Sequence, residues 1–163
     1  MRRKPELSLR ARALQYLARR EHSRAELRAK LLPYVQAEDE FEQTQSVDID
    51  GLLDDLAARG WLSDARATAQ FIHSKRSRFG TQRITHELKQ RGISDELISA
   101  ELGALKDSEL EAARDVWRRK FGQLPQDAKE KAKQMRFMQS RGFGFEVIFK
   151  VLQTTDESGT GDI

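Results

Sequence analysis

The feature that most narrows the fold is a glycine-punctuated segment that returns after 50 residues. Arg91-Gly92-Ile93 and Arg141-Gly142-Phe143 each divide two amphipathic stretches, and the apolar positions around them coincide. Leu88 matches Met138, Leu97 matches Val147, Ile98 matches Ile148 and Leu102 matches Leu152. A glycine just past the last periodic residue accepts the left-handed backbone that closes a helix. The two copies therefore stop one helix and start the next at the same point. In an upstream copy Ser23-Arg24-Ala25-Glu26-Leu27 aligns with Ile84-Thr85-His86-Glu87-Leu88 through the shared Glu-Leu pair. Recurrence at this period is the mark of stacked repeats, each too small to close a large core alone.

Helix signals fill the copies. Leu9, Ala13, Leu14, Tyr16 and Leu17 fall at helical spacing after Ser8, and Ser23 with Glu26 forms a capping box. Pro33 is expected to disturb the last turn of that second helix, before an acidic, Gln-rich loop over 36–47. Ile49, Leu52, Leu53 and Leu56 make a third face that ends at Gly60. Ser63-Asp64, Gly80-Thr81, Ser94, a second capping box at Ser108-Glu109-Leu110-Glu111, Asp127 and Gly142-Phe143-Gly144 punctuate the rest. The reading is nine helices in an all-α, elongated tandem array of three three-helix repeats. The repeats span 8–62, 63–106 and 107–153, between a flexible N-terminus at 1–7 and a disordered acidic tail at 154–163.

Composition agrees with this class: the chain has only 3 prolines and no cysteine. Disulfides and thiolate metal sites are thereby excluded, and a reducing cytoplasm is the expected location. The basic Met1-Arg2-Arg3-Lys4 start leads into no apolar run, because Arg10 and Arg12 interrupt Leu7 to Leu17. No stretch reaches the ~20 apolar residues that span a bilayer. A soluble monomer with no membrane partner is expected.

The net charge of +3 hides alternation. Segments 1–36, 59–93 and 116–150 carry +7, +6 and +6, separated by −8 over 37–58 and −5 over 94–115. Such blocks create strong local potential on a nearly neutral protein.

No enzymatic constellation emerges, and no cofactor is expected. His22, His73 and His86 lack partners at metal-ligand spacing, and His22 and His86 read as solvated side chains. There is no phosphate-binding loop or nucleophile elbow, and Asp54-Asp55 diverge in direction on a helix. The basic clusters are richer. Lys75, Arg76 and Arg78 end one helix, with Arg83 in the next, and Arg118, Arg119 and Lys120 end a helix in the third repeat. Cations there oppose the helix dipole, which explains their tolerance but not three in a row or the parallel placement. Binding of phosphates or of an acidic protein surface weighs above capping, and Arg91 and Arg141 join the candidate set. Trp61, Phe79, Trp117, Phe121, Phe137, Phe143, Phe145 and Phe149 could stack bases, yet Trp117 and Phe121 are better placed for a core. Phe145 and Phe149 share a face, free for an exposed contact only if Val147, Ile148 and Val151 fill the core.

The ordered set of motifs resembles the RecX family, bacterial regulators of the RecA recombinase. Gly60-Trp61-Leu62-Ser63-Asp64, Phe71-Ile72, Gly80, Ile84, Glu87-Leu88 and Arg91-Gly92-Ile93 resemble its central segment. Ala13-Leu14, Leu17, Arg20, Ser23, Glu26-Leu27 and Lys30-Leu31 resemble its first unit, and Arg141-Gly142-Phe143 with Ile148 its last. Ser63, where Asp is common, and Ala67 to Ala69, where an aromatic is frequent, depart conservatively. The resemblance implies tandem three-helix repeats and binding in the groove of the RecA–DNA filament. It also implies inhibition of the filament's ATPase, strand-exchange and co-protease activities in DNA repair and the SOS response. Single- and double-stranded DNA are further expected partners, bound without sequence preference and with salt-sensitive affinity. The alternative is a helical DNA-binding module acting independently of RecA. Against base reading stand the acidic starts of two third helices, Asp48 with Asp50 and Asp95 with Glu96. A pure protein-interaction scaffold is the other competitor.

Overall fold

The computed structural model describes residues 7–39 and 48–154. Among these every regular element is a helix: α1 (Leu9–Arg19), α2 (Arg24–Asp39), α3 (Ile49–Ala58), α4 (Asp64–Lys75), α5 (Thr81–Gln90), α6 (Asp95–Lys120), α7 (Ala128–Ser140) and α8 (Phe145–Thr154). The expected segments at 1–6, 40–47 and 155–163 lie outside the described residues. No helix among the described residues is long and apolar enough to cross a membrane.

The helix count differs from the nine expected because α6 runs unbroken through Asp107-Ser108. Between Gly103 and Phe121 the sequence offers neither glycine nor proline, and Gly103 is absorbed within the helix. Ser108 does not cap. Its hydroxyl donates back to the Leu105 carbonyl at 3.2 Å, as serines inside helices do. Glu109, between the expected capping pair of Ser108 and Glu111, is buried and accepts from the Gly144 N–H at 3.4 Å. Pro33 likewise ends nothing, since α2 continues through Asp39 and makes residues 36–39 helix rather than loop. Thr154, expected to open the tail, closes α8.

Caps read from the sequence are made. Ser63, Ser94 and Asp127 accept from the N–H groups of Arg66, Leu97 and Glu130 at 3.2, 3.2 and 2.7 Å. The box at Ser23 is reciprocal, with Glu26 N–H to Ser23 Oγ at 3.1 Å and Ser23 N–H to Glu26 Oε1 at 3.2 Å.

The described residues form two compact units. The first takes in 7–39, 48–70 and 91–93, with α1 and α3 against α2 around Leu9, Ala13, Leu27, Leu31, Leu53, Leu56 and Leu62. Asp64 accepts the Arg24 N–H at 2.7 Å, and the Ser23 hydroxyl donates to the Arg91 carbonyl at 2.5 Å. His22 is not the solvated side chain expected: it is 1% exposed. Its Nδ1 donates to the Arg20 carbonyl at 3.0 Å, which leaves Nε2 to accept from the Lys30 ammonium at 2.9 Å. His86 is exposed, in line with its position on the outer side of α5.

The second unit takes in 71–90 and 94–154. Its largest apolar cluster joins Ala112, Ala113, Val116 and Trp117 of α6 to Met138, Phe143, Ile148, Val151 and Leu152. Trp117 donates its indole N–H to the buried Gln134 side chain at 2.9 Å. That bond meets the requirement that a buried indole find an acceptor.

Candidate functional site

Helix ends bring the sequence-predicted cations of the second unit together around two phenylalanine rings. Phe79, on the α4–α5 connection, is buried at 7% exposure. Lys75, Arg78, Arg83 and Arg141 place their charged heads 5.7, 5.6, 4.0 and 5.7 Å from its centroid. Arg141 also lies 5.0 Å from the ring of Phe137, which Lys120 approaches at 5.3 Å and Phe121 meets edge-on. A guanidinium of Arg119 donates to the Ser77 carbonyl. The clusters at 75–83 and 118–120, distant in sequence, thus become one surface with Arg141 as its common member.

Each cation–ring contact at an exposed site is worth about 0.5–1 kcal/mol. The rings therefore hold several like charges at close quarters without neutralising them. Two cations are paired inside their own helices, Arg83 with Glu87 and Arg118 with Asp115, both at 3.3 Å. Among the described residues Lys75, Arg78, Arg119, Lys120 and Arg141 form no ion pair with a carboxylate. An anion arriving here would relieve mutual repulsion as well as gain direct contacts. Phosphate oxygens suit both charge types, through a forked guanidinium and a point ammonium.

Two candidates stand apart. Arg76 is turned inward: its guanidinium donates to Ser108 Oγ at 3.0 Å, to Thr81 Oγ1 at 3.3 Å and to the Leu105 carbonyl. Burial pulls its pKa below the usual arginine value, with Glu109 opposing that shift. It is a strut of the fold. Arg91 belongs to the first unit, where it lies 3.5 Å from Glu26. Burial works against the charged form of Glu26, but hydrogen bonds from Arg20 and the Ser23 N–H hold its pKa below the ordinary glutamate range.

Known proteins share this architecture. The profile described as "RecX, second three-helix domain" matches residues 63–102, and "RecX, third three-helix domain" matches 107–152. A curated "Regulatory protein RecX" from Leptothrix cholodnii is 48% identical over 98% of this chain and 96% of its own. The chain belongs to the RecX family of regulatory proteins. A RecX from Ralstonia nicotianae is 45% identical over 92% of this chain and 89% of its own. The crystal structure of RecX from Lactobacillus salivarius superposes with a TM-score of 0.70 at 16% identity, covering 91% of this chain and 95% of that one. This RecX-family chain has its basic surface on residues from both matched domains, with Lys75, Arg78 and Arg83 from one and Arg119, Lys120 and Arg141 from the other.

Sequence reasoning found the cations but not the role of the rings. By sequence alone Phe79 and Phe137 offer faces for base stacking; in the structure Phe79 is buried, Phe137 is half-buried, and cations lie over both rings. The condition set for Phe145 is met in large part: Ile148 and Val151 are buried and Val147 half-buried, while Phe145 is 51% exposed beside Phe149 at 4.6 Å.

Proposed function

We propose that this protein binds the RecA nucleoprotein filament and inhibits its ATPase, strand-exchange and co-protease activities. The surface around Phe79 and Phe137 faces the phosphates of the bound strand. The observation that carries this reading is the convergence of two separate basic clusters on Arg141, in a chain whose family is named for regulation. Concentrated cations without carboxylate partners suit a polyanion and read no bases, so single- and double-stranded DNA are both bound, and binding weakens with salt. Inhibition follows if the protein has higher affinity for an inactive filament state than for the active one, since only differential affinity shifts such an equilibrium.

The test is single-strand-dependent ATP hydrolysis by RecA with the protein titrated in. Hydrolysis is expected to fall to a plateau as the protein saturates the filament. Unchanged hydrolysis at every ratio up to saturation overturns the reading. A helical DNA-binding module acting alone would instead bind bare DNA with salt sensitivity and leave RecA turnover untouched.

A further inference from the structure

The first unit carries a different kind of surface. Of the four large apolar side chains exposed among the described residues, three are here: Leu7, Leu14 and Trp61. Trp61 is 45% exposed, yet its backbone is fixed. Gly60 before it is left-handed at φ 76, its own N–H bonds the Leu56 carbonyl at 3.0 Å, and Leu62 after it is buried. The indole is therefore presented outward from a rigid turn. The guanidinium groups of Arg59 and Arg10 lie 5.4 and 5.9 Å from its ring. Both are held by Asp55, Arg10 at 2.7 Å and Arg59 through Nε at 3.1 Å. Leu14 lies one turn beyond Arg10 on the same side of α1.

We propose that Trp61, Arg10, Arg59 and Leu14 form a docking hot spot for a protein, one whose contacting surface is apolar and carries a carboxylate. The inference rests on the filament reading above and deepens it: this surface meets the protein of the filament, while the Phe79 surface meets the nucleic acid. Exposed tryptophan and arginine, pre-ordered and adjacent, are the residue types that dominate protein–protein binding energy. Leucine offers nothing to a nucleotide but completes an apolar contact.

Charge decides between the two kinds of partner. Asp55 lies beside Trp61 through Arg10 and Arg59, and along the rest of α3 and its cap stand Asp48, Asp50 and Asp54. Arg24 pairs with Asp54 at 2.7 Å and Arg28 with Asp50 at 3.3 Å. The helix leading to Trp61 is thus a mixed and nearly balanced array, which gives a phosphate chain no net attraction but suits the polar rim of a protein interface. Arg59 meets Asp55 through Nε alone, so its outer N–H groups remain to receive a partner's carboxylate.

The experiment compares wild type, Trp61→Ala, Trp61→Phe and the pair Trp61→Ala with Leu14→Ala. Affinity is read for RecA filaments on single-stranded DNA and, separately, for the bare oligonucleotide. Trp61→Ala is expected to weaken filament binding roughly 10- to 100-fold. Trp61→Phe should retain most of it, and bare-DNA affinity should stay unchanged. The side chains removed are exposed, and thermal unfolding by circular dichroism checks that each variant is folded. Wild-type filament affinity in the double variant overturns the proposal, as does an equal loss of bare-DNA affinity. If wild type itself ignores the filament, the functional reading falls first and this inference with it. That result is distinct from a filament-binding wild type whose variants match it.

Discussion

Gly80 donates its backbone N–H to the Arg141 carbonyl at 2.7 Å, and Gln82 follows with a bond to the Gly142 carbonyl at 3.2 Å. The start of α5 is thereby clasped to the turn between α7 and α8. In the first unit the Ser23 hydroxyl makes the corresponding bond from the start of α2 to the Arg91 carbonyl. The same joint is built twice, once from a backbone donor and once from a side chain. In both, the Arg-Gly turn supplies the acceptor. The glycine repeat that stands out in the sequence thus marks how helices are joined as well as where they stop.

This joint predicts unequal glycine substitutions. Gly142 and Gly60 both have positive φ, 87 and 76, so alanine at either costs about 1–2 kcal/mol of backbone strain. A Cβ at Gly60 meets open space, whereas at Gly142 it would come within 2.3 Å of the Arg83 Cβ and 2.6 Å of its nitrogen. Overpacking of that kind adds roughly 1–3 kcal/mol. Urea denaturation should therefore place Gly142→Ala well below Gly60→Ala in stability, and equal losses would show that the joint yields freely.

Arg76 should separate from its neighbours. Removing a half-buried guanidinium that serves Ser108, Thr81 and the Leu105 carbonyl leaves three acceptors without it. Arg76→Ala is expected to cost about 2–3 kcal/mol, in the range of hydrogen bonds to charged groups. Arg78→Ala, at an exposed position, should cost no more than about 1 kcal/mol, the worth of its contact with the Phe79 ring. Thermal or chemical denaturation of the two single variants decides it. Any loss of DNA binding in Arg76→Ala would then trace to folding.

His22 predicts a pH dependence with a definite sign. Burial lowers its pKa below the ordinary 6.5, and the nearby Arg20 and Lys30 charges add to that, against the opposing Arg20 carbonyl and Glu26. The unfolded chain therefore takes up a proton at this residue before the folded chain does. Stability contributed here is present above the ordinary histidine value and declines as pH falls from there toward the lowered folded value. Protonating Nε2 would also break the bond from Lys30. Urea midpoints measured from pH 8 to pH 5.5 should fall on the acid side, and His22→Gln should flatten part of that slope. An identical slope in the variant would mean that other groups supply it.

Local chemistry was readable in the sequence and long-range chemistry was not. Ser63, Ser94, Asp127 and the Ser23–Glu26 box cap helices through groups three residues away, so spacing alone reveals them. Ser108 carries the same signature and misleads, because Arg76 and the absence of any breaker favour continuing the helix. His22 lacked a signal for the same reason: its burial depends on α2 returning Lys30 to its ring. The basic surface was half legible. Each cluster stands out by charge, but their union depends on Arg141 reaching Phe79 from the turn after α7, which no local pattern encodes.

The salt dependence of DNA binding tests that union directly. If phosphates are met by the Phe79 surface, each lost contact should lower the slope of log affinity against log salt by ~0.7 on a single strand. The variants Lys75→Ala, Arg78→Ala, Arg119→Ala and Lys120→Ala each remove a cation that has no carboxylate partner among the described residues. Arg118→Ala removes one already paired with Asp115, so its effect should be smaller. Arg141→Ala is the decisive case, because its charge lies near both Phe79 and Phe137 and joins the two halves of the surface. Its loss should lower the slope as the others do and also weaken the additivity between a 75–78 variant and a 119–120 variant. Titrations of a fluorescent oligonucleotide at several salt concentrations supply both quantities. A slope unmoved by all five unpaired-cation variants would place the phosphate contacts elsewhere on the chain.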